Sequence, residues 1–146
     1  MKREHLFIFV RWSLVIGLIV ITIQASLGEV LDKISILDLK KEKLEKPEAL
    51  ANVSTELEVL QSALSCSQLG ESMLHPLYDA LADVNRQLWD VEDDLREMEA
   101  NQIFDLNFVE LARSVYRLND QRAAIKREVN ILYGSTLIEE KSYKSY

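Results

Sequence analysis

The chain has 146 residues, 48% hydrophobic and 28% charged, with a formal charge of −7. That is one domain's length with enough apolar material for a core, which excludes a disordered tail, and the acidic balance excludes the broad electropositive footprint of nucleic-acid binding. Four glycines and two prolines are too few for turn-rich β-sandwiches or barrels, while two histidines and one cysteine leave no set for structural zinc, haem or a Cys-His nucleophile and no intrachain disulfide; no cofactor is expected.

Residues 6–23 are apolar except for Arg11, Ser13 and Thr22, with Lys2 and Arg3 ahead of them. The run reads as a signal sequence or signal anchor, and its insertion would leave Lys2 and Arg3 in the cytoplasm and export the helical domain. The clean stretch from Trp12 is shorter than the roughly 20 residues of a spanning helix, so residues 6–10 would have to insert too, with Arg11 snorkelling. The opposing reading makes the β-branched Val15, Ile16, Ile19, Val20, Ile21 and Ile23 an extended lead-in to the first helix.

Beyond this run the scarce breakers delimit four helices. Ser26 and Glu29 have the spacing of a capping box, which starts a first helix over 28–46. Pro47 cannot continue that helix but is pre-set for the first position of the next, over 47–65. Residues 66–75, with Gly70 and Ser67 and Ser72, read as a connection. Pro76 restarts a helix that lasts to Ala100. Asn107 and Glu110 repeat the capping-box spacing, and Gly134 ends the fourth helix as a residue free to adopt positive φ. Residues 135–146 read as a tail.

Apolar residues on these helices repeat as heptads. Leu74, Leu77, Leu81, Val84, Leu88, Val91, Leu95 and Met98 are spaced 3,4,3,4,3,4,3, an unbroken a/d ladder. Phe108, Leu111, Val115, Leu118, Arg122, Ile125, Val129 and Leu132 repeat it with an arginine in one slot, and Leu50, Val53, Leu57, Leu60 and Leu64 carry the same rhythm. The third and fourth helices, each about 40 Å long at 1.5 Å per residue, are predicted to form an antiparallel coiled-coil-like hairpin with the two shorter helices packed on it.

Several blocks are similar to one family: residues 28–37 (GEVLDKISIL), 47–53 (PEALANV), 84–96 (VNRQLWDVEDDLR), 108–120 (FVELARSVYRLND), 125–130 (IKREVN) and 139–143 (EEKSY). Together they resemble an uncharacterised bacterial family of short helical proteins, a domain of unknown function, over residues 21–146. Members of that family typically begin just before a stretch that residues 21–29 resemble, with a departure at Gln24. The resemblance implies that residues 1–20 are either an anchor peculiar to this lineage or an over-extended start, with translation beginning near Leu18 or Val20, and that the helical domain is cytoplasmic; membrane anchoring through residues 6–23 is the alternative. The domain division is then 1–20, 21–134 and 135–146.

Arg122 is the sharpest anomaly, since an ionised group at an a/d position must be paired or wetted. Matching the two ladders sets Val84 beside Arg122 and gathers Asn85, Glu92, Asn119, Arg122 and Lys126 into a polar seam. The seam either fixes register, in which case Arg122→Met keeps or raises the melting temperature, or forms an anion or polar-ligand pocket. Asp90, Asp93, Asp94 and Glu97 share one outward face and are the candidate metal ligands, although no second carboxylate pair faces them; otherwise they are a solvated face or a docking surface for Arg113 and Arg117. Trp89 reads as packing, and Asn52-Val53-Ser54 falls mid-helix, where a glycosylation acceptor is out of place. The leading functional reading is a non-enzymatic interaction module that self-associates or docks a protein through its heptad helices. The others are a small ligand-binding protein or metal-dependent enzyme using the seam, and a membrane-tethered exported bundle.

Overall fold

A computed structural model describes residues 21–65 and 71–142. Among them are four helices and no strand: α1 (Leu27–Lys43), α2 (Pro47–Ser65), α3 (Glu71–Ala100) and α4 (Leu106–Leu132). The all-α, four-helix class is therefore as the spacing predicts. Residues 1–20, which carry the anchor and late-start readings, and residues 66–70 of the expected connection lie outside the described residues. Among the described residues no helix is long and apolar enough to cross a membrane.

The helix ends show which local signals prevail. Ser26, in extended conformation, accepts the Glu29 N–H at 3.3 Å, which is one half of the expected capping box; the Glu29 carboxylate instead reaches Lys126. Leu44, also extended, closes α1 by donating its N–H to the Lys40 carbonyl at 2.9 Å, and three lysines in the last turn complement the negative end of the helix dipole. α3 starts five residues before Pro76, so that proline sits inside the helix rather than opening it. So close to the N-terminus it forfeits one backbone bond without ending the helix. α4 is capped by Asp105, not Asn107: the Asp105 carboxylate accepts from the N–H groups of Asn107 and Phe108, both at 3.0 Å, and Glu110 pairs with Arg113.

α1 is the central element. It packs against each of the other three helices, whereas α2 packs along α1. Seven of its residues, Gly28, Leu31, Asp32, Ile34, Ser35, Leu37 and Leu39, are buried. One side places Leu31 against Leu81 of α3 and Val129 of α4. Another places Ile34 and Leu37 against Val53 and Leu57 of α2, with Tyr78 of α3 closing the edge. A third cluster joins Val84 and Leu88 to Leu118. The Tyr78 hydroxyl donates to Asp38, and burial, then that bond, pushes the phenol above its ordinary range.

α1 stops where Glu42 meets Arg86 and Lys43 meets Asp90. Beyond that point α3 and α4 have only each other. No residue from 89 to 117 is buried, although the apolar ladder continues there through Val91, Leu95, Met98, Phe108, Leu111 and Val115. The result is a two-helix arm projecting from a four-helix base.

Candidate functional site

The seam forms where three helices of the base meet, each supplying polar groups at helical spacing. α4 contributes Asn119, Arg122, Lys126 and Asn130, one stripe down a single face; α3 contributes Asn85; α1 contributes Glu29, Asp32 and Ser35. Asn85 is only 4% exposed. Its amide donates to Asp32 Oδ1 and to Ser35 Oγ, both at 2.8 Å, and Ser35 donates in turn to the Asp32 carbonyl at 2.8 Å. The remaining capacity of Asn85 is met from α4, where Arg122 Nη1 donates to its Oδ1 at 3.2 Å. The second Arg122 nitrogen donates to Asn119 Oδ1 at 2.7 Å, and Asn119 donates to the Val115 carbonyl at 2.9 Å. The arginine in the apolar ladder is thus fixed by two amides, and those by a serine, a carboxylate and backbone.

One turn further along α4, the side chain of Lys126 is 10% exposed. It pairs with Glu29 of α1 and, at 3.0 Å, with Glu139 beyond α4. Burial opposes its charge, but the bonds to Glu29 and Glu139 outweigh that and hold its pKa above the ordinary lysine range. The same contact holds the Glu139 carboxyl below its ordinary range. Below Lys126, the buried Asn130 accepts the Gly28 N–H at 2.7 Å, satisfying one of the orphan donors of the first turn of α1. Only glycine fits there. An ideal Cβ on Gly28 would stand 2.6 Å from the Lys126 carbonyl oxygen and 3.0 Å from Asn130 Oδ1.

Four of the five expected seam residues are brought together: Asn85, Asn119, Arg122 and Lys126. Glu92 is not among them, because α3 carries it past the end of α1, where it pairs with Arg96 at 2.9 Å. Sequence reasoning missed Glu29, Asp32, Ser35, Asn130 and Glu139. The signal for Asn130 lay in the stripe itself, since 119, 122 and 126 extend by one turn to 130. The charges of Glu29 and Asp32 suit the start of a helix on their own account, which masks their inward role. Among the described residues no buried side-chain nitrogen or oxygen lacks a partner.

The acidic face is arranged differently from the seam. Asp90 pairs with Lys43 at 3.0 Å and Asp93 with Arg96 at 3.8 Å, while Asp94 and Glu97 border an open groove near the tip of the arm. Among the described residues no three His, Cys, Asp or Glu side chains converge as a metal-holding group, so the candidate metal ligands Asp90, Asp93, Asp94 and Glu97 stay a stripe rather than a cage. Within the chain, Arg113 and Arg117 both turn to Glu110, at 2.9 and 3.9 Å, and not to this stripe.

No curated protein and no solved structure matches the chain. A family model matches residues 21–146, the whole of the four-helix body with the segment after it, and on that match the chain belongs to the family of unknown function DUF6165.

Proposed function

We propose that the chain is a non-enzymatic module that pairs with a second copy of itself through the α3–α4 arm. The observation that carries this reading is the arm's unfinished burial: the ladder continues from 89 to 117, yet no residue in that span is buried. A heptad seam of two helices covers its a/d side chains only in part, and a second pair of helices completes a four-helix arrangement. At the tip the apolar side chains are openly exposed, with Ile103 at 44%, Phe104 at 55%, Leu106 at 83% and Val109 at 46%. Covering those four is worth about 5 kcal/mol gross, comparable to the lower estimates for the cost of association, so the ladder residues beneath them must contribute as well.

The charges favour a second copy over an unlike partner. An interface made by the same patch on two copies must be complementary to itself. The arm carries acidic Asp90, Asp93, Asp94 and Glu97 on α3 and exposed Arg113 and Arg117 on α4, the two arginines sharing the single carboxylate of Glu110. A two-fold partner sets stripe against arginines twice over. The satisfied hydrogen bonding of the seam supports an architectural role for it rather than a ligand pocket.

Light scattering on the size-separated full chain tests the proposal. The expected mass is that of a dimer, falling to one protomer in the variant Leu106→Glu with Val109→Glu, whose exposed positions leave the protomer's own packing intact. A single-protomer mass for the unaltered chain at roughly 100 µM, or a dimer that survives both substitutions, overturns it.

A further inference from the structure

A second surface, on the base rather than the arm, has a built occupant. Gly134 adopts φ +64° and turns the chain back after α4, with Ser135 donating its N–H to the Asn130 carbonyl at 2.8 Å. Residues 137–142 then run on without helix or strand and remain exposed. Two consecutive acids of this segment meet two consecutive bases of α4: Glu139 with Lys126 at 3.0 Å and Glu140 with Arg127 at 3.4 Å. Between them is a cavity of about 220 Å³, lined on the helix side by Ala123, Ala124 and Asn130 and on the segment side by Lys141. The two alanines keep the helix surface low enough for an extended backbone to lie along it.

The two partners of Lys126 differ in kind. Glu29 is fixed on the central helix, whereas Glu139 comes from an exposed segment without regular structure. The Glu139 and Glu140 side chains are 45% and 70% exposed, and exposed ion pairs hold a chain weakly. Glu29 already supplies Lys126 with one anion from within the base, so the second carboxylate, and the one on Arg127, can come from this chain or from another. The geometry points to a binding site for an extended acidic peptide of a partner protein: the groove at Ala123, Ala124, Lys126, Arg127 and Asn130 takes two adjacent carboxylates, and Glu139-Glu140 occupies it in cis until such a peptide displaces them. The segment acts as an intramolecular competitor whose local concentration is in the millimolar range, and it lowers the apparent affinity by the fraction of time the groove is filled. This site is independent of the arm.

The test uses the full chain and a fluorescein-labelled peptide of the chain's own residues 135–142, read by fluorescence anisotropy at low salt. With Glu139→Gln and Glu140→Gln in the protein, the peptide is expected to bind roughly tenfold more tightly than to the unaltered chain. Adding Arg127→Gln, at a half-exposed position that leaves the base folded, is expected to remove that gain. Equal binding to the unaltered and the doubly substituted chain, or equal binding of a scrambled peptide of the same charge, overturns the site. Light scattering on the same samples separates the two proposals: a single-protomer mass refutes arm pairing and leaves the peptide result standing.

Discussion

Gly28→Ala gives the sharpest test of how the base is assembled, because two physical effects predict opposite signs. In a helix, alanine is better than glycine by about 1 kcal/mol, less near an end, so propensity alone predicts a more stable protein. Packing predicts the reverse. The added Cβ would stand 2.6 Å from the Lys126 carbonyl oxygen and 3.1 Å from its carbonyl carbon, where ordinary contact begins at 3.4 Å. Those atoms are α4 backbone and cannot rotate aside, so α1 must move outward by most of an ångström. That movement stretches the 2.7 Å bond from the Gly28 N–H to Asn130 beyond useful length and leaves a buried donor and acceptor unpaired, at about 1–3 kcal/mol. With the strain of the displaced helix, the net expectation is a loss of about 2 kcal/mol, or roughly 6 °C in melting temperature. Urea titration followed by circular dichroism measures it. An unchanged or raised midpoint would refute the close approach of α1 to α4, and with it the account of why glycine stands at this position.

Arg122→Met is expected to lose about 1 kcal/mol rather than keep the melting temperature, because the arginine that fixes register also supplies the donor to buried Asn85 Oδ1, which the substitution leaves unpaired. A double-mutant cycle with Asn85→Leu should show coupling between the two, and strict additivity would count against the bond. Gln102 holds φ +56° in the turn after α3, so Gln102→Gly should raise stability by about 0.5 kcal/mol, the relief of left-handed strain less the entropy of glycine; a lower denaturation midpoint would show the Gln102 side-chain bond to Glu99 to matter more. The clasp of residues 137–142 is expected to depend on pH. Its Glu139 contribution is present above the ordinary carboxylate value of 4.5 and lost as pH falls through the lower folded value. Its Lys126 contribution is complete below 10.5 and lost as pH rises through the higher folded one. Amide chemical shifts of residues 135–142 should therefore move toward disordered values as pH falls below 4.5 through the lower folded value, a change worth under about 1 kcal/mol, and Glu139→Gln should flatten it.

The paired turns that end α3 and α4 show what a sequence discloses and what it conceals. Both helices close with the same two backbone bonds: Ile103 to Met98 and Gln102 to Glu99 after α3, Ser135 to Asn130 and Gly134 to Ile131 after α4. The second was legible because glycine is the residue that takes the left-handed position without cost. The first was not, since a glutamine there carries no such mark. The start of α4 was misplaced for a related reason. Asp105 and Asn107 are both capping types, and only the second has a glutamate three residues on, yet a helix opening after Asp105 lets Phe104 pack edge-on against Phe108, with ring centroids 5.3 Å apart. A local motif gave way to a contact it does not encode.

The place of α1 was hidden for a deeper reason, and it bears on function. Its inward surface carries Gly28, Asp32 and Ser35, residues that sequence patterning assigns to a cap or to solvent, while the regular ladders of α3 and α4 mark those two as the centre. Asp32 and Ser35 lie inside because Asn85 meets both, and Asn85 reads as part of the interior only once Arg122 needs a partner. A buried polar network is costly when half satisfied and specific when complete, so this one fixes the position of α1 on the α3–α4 pair more tightly than the apolar ladders could, since a ladder that repeats every seven residues admits a slip by one repeat at little loss. Fixing α1 at that level also fixes where its cover ends, at Lys43 against Asp90. A slip of one heptad toward the tip would bring α1 over Val91 and Leu95 and shorten the exposed arm by about 10 Å. The seam and the arm are therefore two consequences of one constraint: polar groups that look like a ligand pocket in the sequence hold α1 back, and by doing so leave the distal ladder uncovered.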